Sequence, residues 1–101
     1  MTENVTKRSG NPEYRFRLFI AGMNPTSIRA VENIRGICDR QLNGNYDLEV
    51  IDIYQQRDLV KEMNVIAVPT LIRLFPQPER RIMGDMREVE KVTQIMEINP
   101  D

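Results

Sequence analysis

From Tyr14 the chain alternates, with Tyr14, Phe16 and Leu18 apolar against Arg15 and Arg17, and then runs wholly apolar to Ala21. A period of two that ends in a continuous apolar run predicts a strand entering the middle of a sheet. Gly22 and Met23 turn the chain, Asn24 is suited to cap a helix, and Pro25 is tolerated at a first helical position, where its missing N–H had no partner. Beyond it Ile28, Val31, Ile34, Cys38 and Leu42 recur at spacings of three and four; Ala30 and Ile37 widen the stripe, and Gly44 supplies a left-handed stop. That spacing predicts a helix with one face on a sheet.

Tyr46 to Tyr54 is rich in β-branched and aromatic residues and predicts a buried parallel strand, reached by a right-handed crossover. Arg57 to Asn64 predicts a short helix with Leu59, Val60 and Met63 inward. Thr70 to Phe75 and Arg80 to Met83 predict a hairpin closed by the turn PQPE. Asp85 followed by Glu88 has the spacing of a capping box, with Val89, Val92 and Met96 inward on a last helix. The order is β-α-β-α-β-β-α, a single α/β domain over residues 14–98. The polar, aperiodic residues 1–13 are expected to form a mobile N-terminal tail and 99–101 a C-terminal one.

Composition narrows the chemistry. At 101 residues the chain has room for one modest core, a domain of this size burying roughly 60–70% of the surface its unfolded form exposes. Fourteen Lys and Arg against fifteen Asp and Glu leave no field to favour nucleic acid or an anionic membrane. No apolar run approaches the ~20 residues that span a bilayer, and the start MTENVTKRSG lacks a signal-peptide core, so a cytoplasmic location is expected. One cysteine and no histidine exclude a disulfide scaffold, the usual zinc sites and any Ser-His or Cys-His pair. No glycine pattern marks a phosphate loop, the acidic residues show no metal-loop spacing, and no cofactor is implied.

The element order is that of the thioredoxin-like fold, and Val68-Pro69-Thr70 falls just before the third strand, where that fold places a cis proline. Aligned on Pro25, Met23 and Thr26 stand where reactive cysteines would be, and neither attacks a disulfide. Cys38 lies well inside the apolar stripe of the first helix, where a thiol behaves as a small hydrophobe.

Four segments in order resemble the KaiB family of circadian clock proteins. LFIAGMNPTSIRAVENI is similar to the family's L-Y-V-A-G-x-x-P-x-S-x-R-A-L stretch. Tyr46 to Ile53 resembles Y-x-L-x-V-I-D-V, Ala67 to Leu71 resembles A-T-P-T-L, and FPQPERRIMGDMREVEKV resembles L-P-P-P-x-R-R-I-I-G-D-L. The resemblance implies a non-enzymatic clock or stress-response regulator that binds a KaiC-like ATPase and modulates its activity or output. It also implies homodimers or homotetramers and a switch between the thioredoxin-like fold and a ground-state arrangement of the second half. On that reading the partner-binding residues are Arg29, Gln56, Arg57, Asp58 and Lys61, at the polar end of the second strand, the helix after it and the first helix. The switch residues are Pro69, Pro76 and Pro78, as X-Pro bonds with two accessible isomers, and Gly84 and Asp85 at the turn before the last helix. Ile66, Ile72, Leu74 and Ile82 are apolar surface that one small sheet is not expected to cover in both folds. The alternative, a thioredoxin-like enzyme using glutathione or a peptide thiol, requires an exposed Cys38 of depressed pKa.

Overall fold

The computed structural model describes residues 4–6 and 13–98. Strands β1 (Asn4–Thr6), β2 (Tyr14–Ile20), β3 (Tyr46–Asp52), β4 (Thr70–Phe75) and β5 (Arg80–Met83) form one sheet in the order β1-β3-β2-β4-β5. Helices α1 (Pro25–Gln41), α2 (Arg57–Glu62) and α3 (Val89–Met96) complete it. β2 and β3 are parallel and in register from Tyr14↔Tyr46 to Ile20↔Asp52. β4 runs antiparallel to β2, and β5 to β4, with Thr70 opposite Met83.

The N-terminal stretch differs from its expectation as a tail, because Asn4–Thr6 pairs antiparallel with β3, Val5 opposite Glu49. Pairing satisfies backbone groups that β3 would otherwise leave open at a sheet edge, a gain that side-chain periodicity cannot report. The rest of that stretch up to residue 12, and 99–101, lie outside the described residues.

Successive strand residues point to opposite faces, and the two faces are covered unequally. On one, Phe16, Leu18, Ile20, Leu48 and Leu71 join Ala30, Ile34, Ile37 and Cys38 of α1 and Val92 and Met96 of α3. On the other, Phe19, Ile51 and Ile72 are covered by the half-buried Leu59, Val60 and Met63 of α2, which has no fully buried residue. The flanks of two predicted stripes turn outward: Ile28 is 41% exposed and Val89 37%. Of the four apolar residues expected to exceed one sheet, Ile72 and Ile82 are buried, Leu74 is half-buried, and Ile66 is 87% exposed.

The α1 cap forms as the pattern predicts, with Asn24 Oδ1 accepting from the Ser27 N–H at 2.8 Å. The α3 cap does not. The helix starts at Val89 after Glu88, with no side-chain cap, and Asp85 Oδ1 instead accepts from the Arg87 N–H at 3.2 Å. Met86, at φ 66° and 4% exposed, explains the shift: burying its side chain bends the chain before a helix can begin.

Candidate functional site

β2 and β3 end side by side, and the Ile53 N–H donates to the Ile20 carbonyl at 2.9 Å. The antiparallel β4 begins at this same end, so the turn before α1, the turn before α2, the loop before β4 and the end of β5 converge here. In open α/β sheets the carboxyl ends of parallel strands are where ligands and partners gather, because the loops there are free to vary on a fixed scaffold.

Two Asx-type contacts set the loops. Asn24 Nδ2 donates to the Ala21 carbonyl at 3.0 Å while its Oδ1 caps α1. Asp52 Oδ1 accepts from the Tyr54 N–H at 2.9 Å, and its carbonyl accepts from the N–H groups of Gln55 and Gln56. These bonds hold Met23, 64% exposed, and Tyr54, 62% exposed, out from the end of the sheet.

Gln56 immediately precedes α2; Arg57, Asp58 and Lys61 lie on it, and all four are exposed. Arg29 is exposed on the second turn of α1. The structure therefore places three of the five predicted binding residues on one helix and Gln56 just before it, and puts Arg29 on the opposite face of the sheet. The strand arginines Arg15, Arg17, Arg73, Arg80 and Arg81 are all ion-paired. Arg29, Arg57 and Lys61 have no acidic partner among the described residues.

The predicted switch residues fall into two places. Pro69 and Gly84 meet at the site end, where the Gly84 N–H donates to the Pro69 carbonyl at 3.0 Å; Asp85 follows, its carbonyl accepting from Asn33 Nδ2 at 2.9 Å. Gly84 has φ 121°, which a side chain would strain. Pro76 and Pro78 lie at the opposite end, in the hairpin turn. The Val68–Pro69, Phe75–Pro76 and Gln77–Pro78 bonds are all cis.

Cys38 is fully buried in α1, and burial pushes its thiol pKa up to about 12, with a smaller contribution from Asp39. Tyr46 is raised as well, first by burial and then by the 2.8 Å hydrogen bond its hydroxyl donates to Asp39. No group of three or more Cys, Asp or Glu among the described residues is placed to hold a metal.

Arg73 escaped the sequence reading. It is 1% exposed; its Nη1 donates to the Met96 carbonyl at 2.6 Å and its Nη2 to the Pro78 carbonyl at 2.7 Å. An arginine inside the apolar run TLIRLF was the available signal, since a charge in a strand covered on both faces requires buried acceptors.

The family model of the KaiB domain matches residues 17–98. A circadian clock oscillator protein KaiB of Prochlorococcus marinus (strain MIT 9312) is 42% identical over 79 residues, covering 78% of this chain and 75% of that protein. One of Thermostichus vulcanus is 39% identical, with 78% and 73% covered. Among solved structures, the N-terminal domain of Synechococcus elongatus SasA superposes with a TM-score of 0.70 at 19% identity, over 89% of each chain. The Drosophila thioredoxin Deadhead gives 0.67 at 16%, over 86% of this chain and 81% of that one. At such identities the structural likeness speaks for the thioredoxin-like fold alone.

Proposed function

The chain belongs to the KaiB family of clock proteins, and from that premise we propose that it is a non-enzymatic regulator acting in the cytoplasm, which docks on a KaiC-like ATPase and modulates its activity or output. The observation that carries the proposal is the contrast in charge pairing. Among the described residues the cations on the strands are neutralised within the molecule, whereas Arg29, Arg35 and Arg40 on α1 and Arg57 and Lys61 on α2 have no acidic partner, and Met23, Ile28 and Tyr54 are exposed. Apolar anchors ringed by unpaired polar groups are what a specific, reversible protein interface requires. Gln56 and Asp58 complete the face on α2.

The same proposal includes a second arrangement of the residues after β3, assembled into homodimers or homotetramers and exchanging with this one. Support comes from the joint at Pro69 and Gly84, where one hydrogen bond ties the loop before β4 to the turn after β5. Gly84→Ala opposes φ 121° and is expected to shift the population several-fold, a ~1 kcal/mol strain being a factor of about five. Sedimentation at tens of micromolar checks this.

No observation favours the thiol-enzyme reading. A buried thiol with its pKa near 12 is protonated at neutral pH, and the positions of a reactive pair hold Met23 and Thr26. Insulin disulfides are expected to be reduced no faster than in buffer.

The deciding experiment is a pull-down with the host's KaiC-like ATPase. Wild type is expected to bind, and the joint substitution of Arg29, Arg57 and Lys61 by Ala to lose at least tenfold in affinity, about 1.4 kcal/mol. Absence of wild-type binding ends the proposal.

A further inference from the structure

Three of the proposed docking residues, Arg57, Asp58 and Lys61, sit on a helix that has little to hold it. α2 spans six residues, has no side-chain cap at its start and buries no residue completely. A helix this short has no stability of its own in water. Its anchorage therefore rests on the half-buried Leu59, Val60 and Met63 and on its carbonyl end, which is unusually well closed.

Asn64, at φ 55°, turns the chain in the left-handed region. The Asn64 N–H donates to the Lys61 carbonyl at 3.1 Å and the Val65 N–H to the Val60 carbonyl at 3.0 Å, the paired bonds of a Schellman ending. The next carbonyls, those of Met63 and Asn64, fall outside that motif. Arg81 takes both, its Nη2 donating to Met63 at 2.5 Å and its Nη1 to Asn64 at 3.2 Å. Its Nε is held by Glu79 Oε2 at 2.7 Å, which orients the guanidinium plane toward the helix. The cation also faces the negative end of the helix dipole. Among the described residues the other polar tie from the sheet to this end is weaker, Arg17 Nη1 to Met63 Sδ at 3.7 Å.

We propose that Arg81 is a positioning residue for the docking face: from the edge strand β5 it closes the carbonyl end of α2 and so holds Gln56, Arg57, Asp58 and Lys61 in the geometry the partner meets. The inference rests on the docking reading above. Arg81 itself need not touch the partner. It lowers the ordering cost that α2 would otherwise bear on binding. Since Arg81 lies three residues before Gly84, displacement of β5 also releases α2, which links the turn at Gly84 to the docking face.

The test is amide hydrogen exchange on the full chain, with Arg81→Met and Arg81→Lys beside wild type. In Arg81→Met, exchange at residues 59–65 is expected to quicken about tenfold while α1 and α3 keep their protection, as local opening without global unfolding requires. Lysine retains the charge but cannot hold both carbonyls and Glu79 at once, so its exchange should fall between the two. Affinity for the KaiC-like ATPase should drop in the same order, by about tenfold for Met. Unchanged exchange in α2, equal quickening in every element, or unaltered affinity despite faster exchange would each overturn the proposal. If wild type fails to bind the ATPase, the docking reading falls by itself, and the exchange data still decide whether Arg81 holds α2.

Discussion

α2 and α3 end in the same way. Each stops at a left-handed residue other than glycine, Asn64 in one and Glu97 in the other, and each closes with a pair of backbone bonds reaching back along the helix. In each case arginine from the β4–β5 hairpin collects a carbonyl left over. Arg81 takes those of Met63 and Asn64; Arg73 takes that of Met96, and the Tyr14 hydroxyl donates to that of Glu97 at 3.0 Å. The surroundings differ. The Arg73 side chain is 1% exposed and that of Arg81 35%. α3 buries Val92 and Met96, whereas α2 buries nothing completely. One device, set in a deep core, locks an element in place; set over a shallow core, it leaves the element adjustable. The proposed docking residues Arg57, Asp58 and Lys61 lie on the adjustable one.

The contrast is broken most severely through the core itself. Met96→Ala empties a fully buried site on the α3 face and is expected to cost roughly 2–5 kcal/mol. Leu59→Ala, on the half-buried α2 face, should cost about 1 kcal/mol. Urea midpoints that shift equally would erase the distinction between the faces.

Arg73→Leu comes next. It leaves a buried acceptor on Met96 and a part-buried one on Pro78 unpaired, for a loss of roughly 2–4 kcal/mol. Arg81→Met, at a solvent-lapped site, should cost below about 1 kcal/mol globally, although it loosens α2. A global loss for Arg81→Met as large as that for Arg73→Leu would contradict the reading of α2 as separately held.

Cys38 tests the deep face by pH. Its folded pKa, about 12, lies above that of a free thiol, about 8.5, so the folded state keeps a proton that the unfolded chain gives up. The stabilisation is complete below the ordinary thiol pKa and declines as pH rises from there toward 12. A decline of about 1–2 kcal/mol between pH 7 and pH 10 is expected; Tyr46, raised too, acts in the same direction at higher pH. Cys38→Ala should flatten the profile, and native thiol labelling at pH 8 should be slow beside that of the unfolded chain. Equal labelling rates would reopen the thiol reading.

The smallest pair compares two caps. Asn24→Ala removes a formed cap and should cost ~1 kcal/mol. Asp85→Ala removes only a turn contact, and its effect should stay within about 0.5 kcal/mol. If Asp85→Ala matches Asn24→Ala in thermal denaturation, the turn contact carries more than its geometry implies.

Four of the five proposed binding residues are local to one another in sequence. Gln56, Arg57, Asp58 and Lys61 share a stretch of six positions after a strand that its β-branched residues announce. Arg81 reads in sequence as an exposed hairpin charge, and its hold on Met63 spans 18 residues. Arg73 reaches 23 residues to Met96. No periodicity carries such pairings, since they depend on which strands become neighbours.

By itself the sequence determined the element order, the parallel β2–α1–β3 unit, the Asn24 cap and the family, because each is written in short-range spacing: a period of two or of 3.6, a capping residue, a motif of fixed length. Only the tertiary structure decided that Asn4–Thr6 adds a fifth strand and that α3 waits for Glu88 while Met86 is buried. It also decided that two arginines of one hairpin close two helices on opposite faces of the sheet. Those outcomes turn on which backbone groups would otherwise go unpaired once the sheet has formed, a condition that does not exist in the chain before the strands meet.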